Sequence, residues 1–103
     1  MVGYRLSNRA EVDLEAIADY TVDTWGLEQA IRYITGLLDC CERIALNPQI
    51  GRPCQVVRTG YRRIEHERHV LFYRVIDGDA FIARILHQGM LPEKHVLDDS
   101  EAT

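Results

Sequence analysis

Arginine and histidine side chains are concentrated in the second half of the chain, where they could carry acid–base or phosphate-binding chemistry. Residues 51–84 hold seven arginines against four carboxylates. Cleavage of RNA without a metal would use arginine against the phosphate and a tyrosine, histidine or carboxylate for the protons. Arginines that alternate with apolar residues on strands are also typical of the solvated face of a one-sided sheet. The residue types alone therefore leave catalysis, docking and solvation open. The polar groups in question are Arg62, Arg63, Arg84, His87, Gln88 and His95.

Other kinds of site lack the residues they require. The sequence has no glycine-rich phosphate loop, no HExxH pair and no EF-hand spacing. Four histidines are present, but His66 and His69 would point apart on a strand pair unless a turn intervenes. Ser7 and Ser100 have no neighbouring base that suggests a nucleophile. We therefore expect no metal and no cofactor. We expect buried free thiols at the three cysteines, Cys40, Cys41 and Cys54.

The charge distribution favours an acidic partner over nucleic acid. The 103 residues suit a single domain, and the formal net charge of −4 argues against direct nucleic-acid binding. The arginine-rich middle of the chain lies between two acidic segments, and such a patch suits an acidic partner, whether protein or phosphate. No apolar run approaches the length of a membrane span, so no membrane contact and a cytoplasmic location are expected. We expect residues 1–97 to form the domain and residues 98–103 to be an acidic tail.

The order of the predicted elements defines the fold class. A short strand, YRL, precedes two amphipathic helical patterns that meet at Gly26, and Asn8 is the predicted cap of the first helix. NPQIGRP ends the second helix, and three strands follow at 61–67, 69–76 and 80–88, the last two joined by an Asp-Gly turn. We predict an α+β fold, β-α-α-β-β-β, in which a strand and an antiparallel helical hairpin pack on a small, mainly antiparallel sheet.

Several motifs in the same order resemble those of a known family. NPQIGRP, then GYRRIEHERHVLFYRV, then ARILHQGM closing with PEKHV is similar to the ParE branch of the RelE/ParE toxin superfamily. The opening YRLSNRAEVDLEAIADYTVDTWG resembles the first helix of that family. The resemblance extends from about Tyr4 to Val96. It implies a toxin of a type II toxin–antitoxin pair, neutralised by a small antitoxin that for ParE is a ParD-type protein.

The two branches of the superfamily act differently. RelE-like members cut mRNA in the ribosome, whereas ParE-like members inhibit DNA gyrase and block replication. RelE-like nucleases tend to carry arginine where this chain has Val70, another arginine in the turn after the last strand, and a tyrosine near the C-terminal end. Here the turn has Gly89 or Met90, and His95 stands near the final aromatic position. The missing arginines favour a gyrase inhibitor that acts by binding and not as an enzyme. The chain also departs from ParE relatives at Gly89 and Leu91, where those relatives often carry arginine and aspartate.

The alternatives are a RelE-like ribosome-dependent endoribonuclease using Arg62, Arg84 and His95, and a non-toxic domain that only binds an antitoxin. The resemblance also implies two contact surfaces. The candidate gyrase contacts are Arg62, Arg63, Arg84, His87, Gln88, Met90 and His95. A groove beside the helices and a sheet edge are the expected antitoxin seat. The candidate antitoxin contacts are Leu14, Ile17, Tyr20, Tyr33 and Leu37, of which Tyr20 and Tyr33 lie off the apolar stripes that face the core.

Overall fold

The chain folds into two helices and five strands in a computed structural model that describes residues 3–54 and 60–89. The predicted tail at 98–103 lies outside the described residues. The order of helices and strands confirms the predicted α+β class. One two-residue strand after the helices was not predicted. The elements are β1 (Tyr4–Leu6), α1 (Asn8–Trp25), α2 (Leu27–Leu46), β2 (Arg52–Pro53), β3 (Arg62–His66), β4 (His69–Ile76) and β5 (Asp79–His87).

The strands form one mixed sheet in the order β1-β5-β4-β3-β2. β1 runs parallel to β5, and every other neighbouring pair is antiparallel. The predicted hairpin turn is confirmed, with Asp77 and Gly78 at φ of 53° and 86°. A second turn places Glu67 at φ 53° between β3 and β4. β2 was not predicted because its Gly-Arg-Pro segment has the composition of a loop. Proline is tolerated there because the strand lies at the sheet edge.

The helical hairpin is fixed at both ends by small residues. Ser7, and not the predicted Asn8, caps α1: its hydroxyl accepts a hydrogen bond from Ala10 N–H at 2.9 Å and donates to the Ala83 carbonyl at 2.7 Å. Serine can do both because a hydroxyl is a donor and an acceptor at once. Gly26 alone separates the two helices, at φ 95°, a conformation that side chains disfavour.

The two faces of the sheet carry separate apolar clusters. The helices cover one face, where the buried residues include Ile17, Leu37, Cys40, Cys41, Ile44, Leu71, Tyr73, Ile82 and Ile85. The opposite face, called here the outer face, buries Cys54, Tyr61, Val70, Phe72, Phe81, Ala83 and Leu86. In the described segments, neither helix is long and apolar enough to span a bilayer.

A bulge in the sheet determines where one candidate arginine points. Arg84 stands opposite Phe72, but Ile82 stands opposite Tyr73, so Ala83 is an extra residue on β5. Bulges of this kind redirect the neighbouring side chain. Arg84 consequently reaches α1 instead of continuing the alternation of the strand.

Candidate functional site

Arg84 forms an ion pair with a carboxylate of α1. Its Nε and one terminal nitrogen donate to the two carboxylate oxygens of Asp13 at 2.8 and 2.9 Å. The Ile85 N–H donates to the same carboxylate at 2.9 Å. The two side chains are 11% and 13% exposed, and the hydrogen bond to Asp13 raises the pKa of Arg84 further above its ordinary value. Arg84 therefore ties α1 to β5.

Arg62 braces the loop that follows α2. One of its terminal nitrogens donates to the Gly51 carbonyl at 2.6 Å, and the other donates to Oε1 of Gln49 at 2.7 Å. The Tyr73 hydroxyl holds the same loop from the sheet, donating to the Pro48 carbonyl at 2.7 Å and accepting from Gly51 N–H at 2.9 Å. The guanidinium of Arg62 thus stabilises the conformation of the loop at residues 48–51.

Arg63 belongs to a set of arginines on the outer face of the sheet. Its guanidinium lies 5.6 Å from the ring centroid of Phe72. Two others stack in the same manner, Arg5 over Phe81 at 5.5 Å and Arg74 over Tyr61 at 5.7 Å. Arg52 joins the set because it pairs with Arg63 across β2 and β3. We call Arg5, Arg52, Arg63 and Arg74 the arginine face.

The rings beneath Arg5, Arg63 and Arg74 stabilise these three cations and leave planar donors on a surface. Glu65 is the carboxylate within this surface, accepting from Arg52 at 2.7 Å and from Arg63 at 3.0 Å. Of the three arginines proposed from the sequence as gyrase contacts, only Arg63 lies on this face. The grouping of Arg5, Arg52 and Arg74 was not predicted because they come from three strands, and only the pairing register brings them together. The usable signal in the sequence was the two-residue spacing of Tyr61 from Arg63 and of Phe72 from Arg74.

A groove of about 630 Å³ opens on the other side of the molecule, between the helical hairpin and the ends of the strands. Tyr20 and Trp25, 66% and 63% exposed, lie at its helical wall. The Arg84–Asp13 pair adjoins it through Asp13. The lining residues are Asp13, Ala16, Ile17, Tyr20, Thr21, Trp25, Gln29, Tyr33, Glu67, Arg68, His69, Ile85, Leu86 and His87.

The groove contains three of the five proposed antitoxin contacts, Ile17, Tyr20 and Tyr33. The other two lie elsewhere. Leu14 is half-buried against the helix-facing core, and Leu37 is fully buried within it. Leu37 accordingly presents no surface to a partner in this conformation, and the helical spacing that suggested it reflects core packing.

Histidines and a tyrosine gather at the strand end of the groove. The turn after His66 places it directly opposite His69, so the two side chains share a face, and His69 is opposite His87 on the other side. The Tyr33 hydroxyl lies 2.6 Å from Nδ1 of His69. Burial and the neighbouring histidines lower the pKa of His69. Within residues 3–54 and 60–89, no group of three or more His, Cys, Asp or Glu residues could hold a metal ion.

The end of β5 places the remaining candidates beside this cluster. Gln88 N–H donates to the Arg68 carbonyl at 2.9 Å, and Gly89 N–H donates to Nδ1 of His87 at 3.2 Å. Both His87 and Gln88 are exposed. Met90 and His95, also proposed as gyrase contacts, lie outside the described residues.

The predicted free thiols are confirmed. Cys40, Cys41 and Cys54 are unbridged and buried. Burial raises the pKa of Cys41 to about 12 and also raises that of Cys40. Thiols that stay protonated at neutral pH are weak nucleophiles, so Cys40 and Cys41 fill space in the helix-facing core.

Comparisons with known proteins agree with the fold. A family model described as "ParE toxin of type II toxin-antitoxin system, parDE" matches residues 4–92. The chain is similar to Toxin ParE1 of Mycobacterium tuberculosis strain H37Rv, 46% identical over 88 residues that cover 84% of this chain and 90% of the relative. It is also similar to Toxin ParE1 of Caulobacter vibrioides, 44% identical over 96 residues that cover 93% and 99%.

Solved structures give the same result. A chain of the chromosomal ParDE toxin–antitoxin system from P. aeruginosa superposes with a TM-score of 0.72 at 26% identity, covering 84% of this chain and 96% of that one. A chain of the RelBE2 toxin–antitoxin complex from Mycobacterium tuberculosis superposes with a TM-score of 0.53 at 21% identity, covering 84% and 98%. The second likeness shows a shared fold.

Proposed function

Because this chain belongs to the ParE toxin family of type II toxin–antitoxin systems, we propose that it is a cytoplasmic toxin that inhibits DNA gyrase by binding it. The toxin catalyses no reaction and has no need of a cofactor, and a ParD-like antitoxin neutralises it. The observation that carries the proposal is the match of the family model to residues 4–92, almost the whole described fold. The geometry of the arginines supports the non-catalytic mode.

Two of the three residues proposed for the ribonuclease alternative, Arg62 and Arg84, already form hydrogen bonds within the protein. Arg84 is bound in two places by Asp13, and Arg62 donates to a loop carbonyl and a side-chain amide. A guanidinium that stabilises a phosphorane-like transition state must be able to point at the phosphate. At Val70, where RelE-like nucleases tend to carry arginine, the side chain is buried in the outer-face cluster. These contacts favour a protein that recognises its target by docking.

The arginine face is the surface we assign to gyrase. It gathers four cations on the sheet of a protein whose formal net charge is −4, so the positive field is local and suits an acidic patch on a protein target. Arg63 is the member shared with the contacts proposed from the sequence. Met90 and His95 stay candidates at the chain end, together with His87 and Gln88 at the end of β5.

The groove is the surface we assign to the antitoxin. An amphipathic segment laid along it would bury Tyr20, Trp25 and the apolar floor at Ile17, a recognised way in which short segments dock on folded domains. The exposed side of α1 is acidic, which predicts basic side chains on the antitoxin flank that faces it. The exposed acidic residues of that helix are Glu11, Glu15, Asp19 and Asp23.

Supercoiling by purified gyrase tests the assignment of the arginine face. We expect the wild-type toxin to inhibit the reaction and the double variant R5E/R52E to need at least about tenfold more protein, equivalent to about 1.4 kcal/mol of binding free energy. Both side chains are exposed, so the change should leave the fold intact. The matched control is R9E/R32E, which reverses two exposed arginines on the helices. Equal inhibition by the two double variants would contradict the assignment.

Transcript integrity separates the proposal from the ribonuclease alternative. Induction of the toxin in cells without antitoxin should arrest growth while mRNA remains uncut. Cleavage that depends on translation and disappears in Arg84→Lys, a variant that retains the positive charge, would favour the RelE-like reaction. Normal growth on induction would favour the non-toxic binding domain.

A further inference from the structure

Tyr33 is the central residue of a polar junction between α2 and the sheet. With the His69 proton on Nε2, the Tyr33 hydroxyl donates to Nδ1 of His69 at 2.6 Å, and it accepts from Arg68 N–H at 3.3 Å. Its ring lies 5.5 Å from that of His69 and 5.9 Å from that of His66. His69 in turn contacts His87 edge to face, with ring centroids 5.6 Å apart. We call Tyr33, His66, His69 and His87 the histidine clamp.

His66 fits into a notch in α2 that only glycine leaves open. A Cβ added to Gly36 would lie 2.9 Å from Nε2 of His66. That nitrogen is buried and has no hydrogen-bond partner among the described residues. The Glu67 carboxylate stands 3.7 Å away, beyond hydrogen-bond distance. Within the clamp, Nδ1 of His69 therefore has a hydrogen-bond partner in Tyr33, whereas Nε2 of His66 has none among the described residues.

Asp13 is the described carboxylate that favours a proton on His69, but its influence is weaker than that of burial and of the neighbouring histidines. The oxygens of the Asp13 carboxylate already accept hydrogen bonds from Arg84 and from Ile85 N–H. A proton on His69 would also place a charge beside the imidazoles of His66 and His87. The titratable and charged groups facing His69 are Asp13 from α1, Tyr33 from α2, His66 from β3, Glu67 and Arg68 from the turn, and His87 from β5.

We propose that the histidine clamp makes the groove acid-sensitive: protonation of His69 loosens the attachment of α2 to the β3–β4 turn and weakens the hold on a segment in the groove. His69, His87 and Tyr33 all line the groove, so the same side chains hold the helix and form the binding wall. Protonated His69 can no longer accept from Tyr33. The hydroxyl would have to turn toward the His66 carbonyl, at 3.4 Å, to keep a bond. The part of this proposal that concerns the antitoxin rests on the proposed function.

The sign of the pH effect follows from the titration of His69. Burial, then His87 and His66, lower its pKa in the folded protein below the ordinary value of about 6.5. Between the folded and unfolded pKa values the unfolded chain binds more protons, so the free energy of unfolding falls as pH falls. The contribution is complete above about pH 6.5 and is lost as the pH descends to the folded pKa. Each unit between the two values changes the folding equilibrium constant tenfold.

The first experiment compares urea unfolding of the wild-type chain and His69→Asn from pH 8 to pH 5. Asparagine places an acceptor near the position of Nδ1 and does not titrate, so it isolates the contribution of one group. We expect the wild-type folding constant to fall more steeply with acid than that of the variant, in the window below about pH 6.5. Parallel profiles would overturn the proposal. Side-chain NMR titration of the wild-type protein provides a second test if the variant fails to fold, and a His69 pKa at or above the ordinary value would also overturn it.

The second experiment measures the binding of the purified ParD-like antitoxin at pH 7.5 and at a pH below the His69 pKa found by NMR titration. The signal is the fluorescence of Trp25, the single tryptophan of the chain, which lines the groove. We expect a larger loss of affinity in acid for the wild type than for His69→Asn. An unchanged affinity together with acid-dependent unfolding would overturn the link between clamp and groove. Gyrase inhibition at pH 7.5 does not depend on that link, so its failure would count against the proposed function alone.

Discussion

Removing one member of the Asp13–Arg84 pair should destabilise the protein strongly. Asp13 accepts three hydrogen bonds, two from Arg84 and one from Ile85 N–H. Taking away one partner of a fully buried ion pair costs about 3–5 kcal/mol because the other charge is left unpaired. The two side chains are 11% and 13% exposed, so water offsets part of the loss, and we expect about 2–4 kcal/mol for Asp13→Ala or Arg84→Ala.

Urea unfolding measures this loss directly. A domain of this kind has a free energy of unfolding of about 5–15 kcal/mol, so a change of this size shifts the midpoint clearly. The control is Glu15→Ala, which removes an exposed carboxylate two residues along the same helix and should change stability by less than about 0.5 kcal/mol.

A double variant distinguishes a paired charge from lost packing. Asp13→Leu with Arg84→Met replaces both charges by apolar groups, and it should be more stable than either alanine variant because no unpaired charge remains. Single losses below about 1 kcal/mol, or a double loss equal to the sum of the two single losses, would refute the reasoning. The result also affects assays of toxicity, since loss of activity in Arg84→Ala would then include the effect of lower stability.

Three further predictions concern buried groups. Gly36→Ala should lower the free energy of unfolding by about 1–3 kcal/mol in urea, despite the helix preference of alanine, because its methyl group meets His66 at 2.9 Å; a stabilised variant would contradict the packing. Gly51→Ala should cost at least about 2 kcal/mol, since a Cβ there lies 2.5 Å from the Tyr73 hydroxyl, and unchanged thermal unfolding would refute this contact. Alkylation of Cys41 by iodoacetamide at pH 8 should be limited by unfolding, because burial raises its pKa to about 12; rapid reaction of the native protein would show that the thiol is accessible.

The order of the elements could be predicted from the sequence because each element has a local signal. The apolar spacing of the two helices, Gly26 between them and the Asp77-Gly78 turn all act over a few residues. The helix cap was misassigned by one residue because Ser7 has a second partner, Ala83, that is distant in sequence. Local patterns contain no information about such a contact.

The surfaces were harder to predict because they depend on register. Arg84 is turned toward Asp13 by an extra residue in β5, which no spacing rule indicates. Arg5 and Arg74 come together only through the pairing of β1, β4 and β5. The position of Tyr33 beside His69 likewise depends on how α2 crosses the sheet, although its place off the apolar stripe had marked it as a groove residue.

The central claim is that the toxin inhibits gyrase by binding it, and a titration of supercoiling activity tests this most directly. Purified toxin is added in steps to a fixed amount of gyrase, and the remaining activity is followed over time before and after addition of the antitoxin. We expect the inhibition to reach a plateau as more toxin is added, to stay constant over time at each amount of toxin, and to be reversed by the antitoxin. Full supercoiling activity in the presence of a large excess of toxin, or progressive inactivation by toxin at much less than one molecule per gyrase, would contradict it.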